Sequence, residues 1–151
     1  MSLISIIIGV GFSFAQTCPD NIGFEKGNFS KWQSSAGSVS INDSGKNIVA
    51  LTELAPINGR HTILNNPEKD FYGGFPTTSP NGSKYSVKLG DDGTGKQAER
   101  ISYEIEVPKT AENFSITYQY AVVFENPPGH THDQQARFTA KVFDPTTETY
   151  I

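Results

Sequence analysis

From residue 16 onward, apolar residues recur at every second position, the spacing of a strand with one face on a core, and no segment holds the 3.6-residue spacing of an amphipathic helix. The clearest run is Ile101, Tyr103, Ile105 and Val107, with Ser102, Glu104 and Glu106 between them. Pro108 and the polar residues 109–113 predict a turn. Phe114, Ile116, Tyr118, Tyr120, Val122 and Phe124 then repeat the alternation, so the two runs predict a long hairpin. Tyr85, Val87 and Leu89 mark a shorter strand, and Phe138, Ala140 and Val142 mark another within 136–144. Weaker strands are predicted at 39–41, 48–51 and 61–64, the first two joined by a hairpin turn at Asp43-Ser44-Gly45-Lys46. Pro, Gly, Asn and Thr crowd residues 65–83, which read as a long surface loop, and 126–135 read as a second. The expected fold is all-β, an antiparallel β-sandwich.

Two features at the ends shape that expectation. Residues 145–147 make a turn and Glu148 to Ile151 begin a returning strand, so the module is expected to continue beyond 151, leaving an adhesive unpaired edge after Val142. Residues 3–15 are an apolar stretch closed by Ser13 and Ala15, the small residues of a secretory cleavage site, and too short to span a bilayer. The expected division is a signal peptide at 1–15 and a secreted β-sandwich module at 16–151. Cys18, the single cysteine, is then a leftover thiol, half of a bridge to something outside these residues, or a lipid-anchored residue.

Composition narrows the function. With 151 residues, of which 36% are hydrophobic and 11% aromatic, the chain holds one domain with enough apolar side chains for a core. The net charge is −4 and Lys and Arg form no cluster, which argues against nucleic acid and anionic membranes as partners.

The segment from Cys18 to Trp32 contains Gly23-Phe24-Glu25-x-Gly27-Asn28-Phe29-x-x-Trp32. It resembles the opening of jelly-roll modules of the MAM and galactose-binding-like kind, as do Tyr85-Ser-Val-Lys-Leu-Gly, Ala98-Glu-Arg-Ile-Ser-Tyr and 114–123, in that order. The stretch Tyr120-Ala-Val-Val-Phe-Glu-Asn-Pro-Pro-Gly-His, with Ala136-Arg-Phe after it, is similar to the N-terminal module of secreted Bacteroidetes surface proteins that carry PKD-type repeats and a gliding-motility-associated sorting domain. The resemblance implies a jelly roll, export to the cell surface and an adhesive or scaffolding role. It also implies a structural calcium ion at Glu25, with Gly27 and Asn28 as oxygen donors and Asp91, Asp92 or Asp144 as remote ligands; calcium takes six to eight oxygens. The alternative for Glu25 is a turn cap, and for the Asp pair a solvated surface.

Phe71, Tyr72 and Phe75 sit in the Gly/Pro loop and are the candidate ligand contacts, with Arg60 and His61 placed to add hydrogen bonds. The alternative is that these rings fold back over the sandwich edge. Trp32 reads as core rather than as a sugar-stacking ring. His130-Thr131-His132-Asp133 has the look of a metal motif, but a transition-metal site needs more ligands than the sequence supplies nearby, and a structural loop is the better reading. Glu104 and Glu106 share one strand face, which is not the cleft a carboxylate pair needs for glycoside hydrolysis. Gly-x-Ser-x-Gly, the P-loop and the dinucleotide fingerprint are all missing. The expectation is a non-catalytic module that meets a surface glycan or a neighbouring surface protein. The alternatives are a cap or spacer with no small ligand, and an accessory domain of a secreted hydrolase.

Overall fold

Small side chains, not large ones, make the middle of the main sheet. In the computed structural model, which describes residues 18–79, 83–109 and 113–151, strand β1 (Trp32–Ile41) lies between β2 (Asn47–Leu54) and β5 (Gln97–Tyr103), antiparallel to both. The expected signal peptide at 1–15 lies outside the described residues. At the centre of β1, Ser34, Ser35 and Ala36 are buried. The Ser34 hydroxyl donates to the Leu54 carbonyl, and Arg100 Nη2 donates to Ser35 Oγ at 3.0 Å. Each buried hydroxyl is thus paired across a ladder, which removes the desolvation cost a serine otherwise carries inside. The expected turn joins β1 to β2: Asn42 and Lys46 close it, and Asn42 Oδ1 accepts the amides of Ser44 and Lys46.

A second, two-stranded sheet pairs β3 (His61–Leu64) with β4 (Ser86–Leu89), in the register His61 to Leu89. A short pair, β6 (Phe143–Asp144) and β7 (Thr149–Tyr150), follows a single 3-10 turn at His132–Gln134. The protein is all-β. Among the described residues the expected hairpin between 101–107 and 114–124 does not form: β5 ends at Tyr103 and spends its ladder on β1, while 114–124 joins no strand. Of the expected strand at 136–144, Phe143 and Asp144 form the ladder with β7, and the Val142 carbonyl accepts the Ile151 N–H at 2.9 Å. Alternation reports that a segment suits a sheet, but not which neighbour reaches it first.

The opening loop, 20–31, is pinned by one asparagine. Asn21 is buried with φ +61°, a left-handed conformation that asparagine tolerates better than most residues. Its side-chain amide donates to the carbonyls of Ser30 at 2.7 Å and Asn28 at 3.0 Å, and its Oδ1 accepts Lys26 N–H at 2.8 Å. Its own carbonyl takes the Trp32 indole N–H at 2.9 Å. Trp32 is half-buried rather than core, stacked on buried Phe24 at 4.6 Å and edge-on to Tyr103 at 5.1 Å.

Tyr103 ties that cluster to the chain start by donating its hydroxyl to the Asp20 carbonyl at 2.7 Å. Burial pushes its phenol above the ordinary value of 10.0, and the Asp20 carboxylate adds to the shift. The fold favours the neutral phenol, so this contribution is intact below pH 10.0 and disappears as pH climbs through the higher folded value. Tyr103→Phe is expected to cost about 1 kcal/mol at neutral pH through the lost hydrogen bond. Urea denaturation at a series of alkaline pH values should show that gap closing; a gap independent of pH counts against the assignment.

Candidate functional site

Residues 66–77 double back on themselves into a small hairpin that lifts two aromatic rings into solvent. Lys69 and Pro76 form a single antiparallel bridge. Asp70 N–H donates to the Phe75 carbonyl at 2.8 Å, and Thr77 N–H to the Glu68 carbonyl at 2.8 Å. Asp70 Oδ1 then accepts the amides of Tyr72 at 3.0 Å and Gly73 at 2.7 Å, the short-range pairing that makes Asp a turn former. Gly74, with φ +67°, turns the chain back and donates its N–H to the Asp70 carbonyl at 2.9 Å, a conformation glycine adopts without strain. Thr77 Oγ1 donates to the carbonyls of Asn66 and Glu68, and the Thr77 carbonyl accepts the Ser86 hydroxyl at the start of β4. The loop is long, but its backbone is tied at every level.

Phe71 is 91% exposed and Tyr72 69% exposed, their rings meeting edge to face at 5.1 Å and 89°. Phe75 is half-buried, its ring lying against Gly73 at the base of the tip. The sequence placed these three rings in one loop; Asp70, Gly74 and Thr77, which brace them, went unread, though Asp before Phe-Tyr-Gly-Gly is a turn signal.

Arg60 and His61 do not join the rings. Arg60 Nε donates to Glu99 Oε1 at 2.6 Å, and its Nη2 donates to the carbonyls of Gly37 at 2.9 Å and Ala98 at 3.1 Å, bridging the turn before β3 to strands β1 and β5. His61 is buried; its Nδ1 accepts the Ile57 N–H at 3.2 Å, which leaves Nε2 protonated to donate to the Ser35 carbonyl at 3.1 Å. These two residues, expected to face a ligand, instead hold the two sheets together. Their hydrogen bonds to the chain's own backbone engage both side chains and keep them from turning toward the open loop.

The carboxylates expected to hold calcium each have hydrogen-bond or ion-pair partners of their own. Glu25 accepts the Gly23 N–H with both carboxylate oxygens, at 3.0 and 3.1 Å. Gly27 faces the Tyr85 ring. Asp91 accepts the Gly93 N–H at 2.8 Å, and Asp92 pairs with Lys88 at 3.1 Å. Asp144 accepts the Thr146 N–H at 2.8 Å, a bond that holds its carboxyl below the usual range. Among the described residues, no three or more His, Cys, Asp or Glu side chains come together as a metal-binding group. His130 and His132 lie on an exposed loop and its 3-10 turn, and Glu104 and Glu106 border a shallow hollow with Lys31, Gln33 and Tyr103. Among the described residues, no helix is long and apolar enough to cross a membrane.

No family model matches the chain, and neither the curated proteins nor the solved structures contain a match to it.

Proposed function

We propose that this chain is an exported, non-catalytic β-sandwich module that binds a surface glycan through Phe71 and Tyr72. What supports the reading is the tip itself: two adjacent exposed rings, held at right angles by a loop whose backbone is already fixed. Exposed aromatics are costly to leave uncovered, and a ring presented at a fixed angle binds with little further loss of freedom. The open face of Phe71 suits the apolar C–H face of a pyranose.

A glycan array probed with the chain and with the Phe71→Ala, Tyr72→Ala double variant tests this. The expected result is a specific glycan bound by the parent and bound at least about tenfold more weakly by the variant, with the melting temperature unchanged. Equal binding by both proteins moves the site elsewhere. A cap or spacer role is the second reading, and one observation favours it: Arg60 and His61 are spent on the fold, so those polar groups do not converge beside the rings. In that case no specific glycan is retained by the parent.

A further inference from the structure

Residues 114–124 read Phe-Ser-Ile-Thr-Tyr-Gln-Tyr-Ala-Val-Val-Phe, with no charge, glycine or proline, and with a large apolar residue at every even position. Among the described residues this stretch joins no ladder; residues 115–126 are exposed on both sides of the chain, and the large apolar side chains gather on the even-numbered one. Tyr118 and Tyr120 are 56% and 63% exposed, and Ile116, Val122 and Phe124 are each about half exposed. Tyr118 stacks on Tyr120 with centroids 5.6 Å apart, which places the even side chains on one side of the chain. Tyr120 stacks in turn on Phe138 at 4.9 Å, so residues around 138 lie alongside. The same alternation puts Val142 on this side and sends Arg137 and Lys141 to the other. The result is an apolar face two segments wide. Its stacked rings show their rims rather than their faces, so it is not a platform for a sugar or a base; it is a comb that another row of side chains can interleave.

We propose that this face is a self-association surface, packing against the same face of a second copy of this chain. Its apolar side chains leave on the order of 700 Å² open on each copy, close to the ~800 Å² per partner of a standard interface. A two-fold interface must be complementary to itself. With no charged residue in 114–124, and with Asp144 the one charged residue of 136–144 at an even position, two identical faces meet with little like-charge repulsion. The inference stands apart from the aromatic tip and does not require it.

Sedimentation velocity on the full chain, from low to high micromolar concentration, tests the proposal with two variants. The expected result is a dimer that Tyr120→Lys weakens at least about 100-fold, because it buries two like charges against each other, and that Thr117→Lys, on the opposite side, leaves intact. Should Tyr120→Lys fail to fold, hydrogen exchange on the unmodified chain decides: protection over 116–124 must rise with concentration. A monomer at all concentrations, an equal response to both lysines, open-ended aggregates, or concentration-independent exchange overturns it.

Discussion

Gly37→Ala is expected to lower stability by about 4 kcal/mol or more, placing it among the most damaging single substitutions in this chain. Gly37 sits mid-strand in β1, opposite Leu51 of β2 and Ala98 of β5. A Cβ there would stand 1.7 Å from the Ala50 carbonyl oxygen and 3.0 Å from the Leu51 Cα. Both obstacles are backbone, so no rotamer change relieves the overlap. Relief requires β2, an edge strand, to lift away from β1, and its ladder hydrogen bonds go with it. The Gly37 carbonyl also receives Arg60, so a displaced β1 loosens the link to the second sheet. Chemical denaturation measures the loss, and hydrogen exchange should locate it first along 47–54. A midpoint unchanged within a few tenths of a kcal/mol would mean the two strands are less closely apposed than described.

Arg60→Ala is the second large effect, expected at about 3 kcal/mol. The Arg60 and Glu99 side chains retain only 20% and 10% of their exposure, so water screens the pair little. Removing the guanidinium strips a donor from the Glu99 carboxylate and from the carbonyls of Gly37 and Ala98 at once, and leaves a carboxylate largely out of water without its counter-charge. A double-mutant cycle with Glu99→Ala should return a coupling of about 1–3 kcal/mol, because the double variant no longer holds an orphaned charge. Added salt should change the coupling little. A cost under about 0.5 kcal/mol, or a coupling that salt erases, would assign the pair to the ordinary surface class.

The sequence and the structure agree best where local chemistry decides. The turn at 43–46 and the strands at 61–64 and around Val87 depend on neighbours a few residues away and were legible; whether Phe71 and Tyr72 stand out or fold back was left open by the sequence. The centre of β1 was not, because it is built of Trp-Gln-Ser-Ser-Ala-Gly, where hydrophobic periodicity has nothing to register; those serines are inside because Leu54 and Arg100 arrive from other strands to pair with them. The longest alternation in the chain, at 114–124, was the least informative about pairing, since a good strand sequence still needs an open edge to join. Arg60 and His61 were misread for a related reason: polarity beside a loop suggests a ligand, and only the fold shows that their partners are the Glu99 carboxylate and backbone carbonyls and an amide of the chain itself.

The hairpin at 66–77 closes through its own backbone, with the Asp70 carboxylate and Gly74 supplying the turn and a single hydroxyl from β4 tethering it below. Phe71 and Tyr72 contribute their side chains to none of those bonds. The chemistry of the tip and how firmly the protein stands are therefore separate properties: the two ring positions can be rewritten while the scaffold beneath keeps its melting temperature, which makes this loop the place to begin if a contact is to be engineered into the protein.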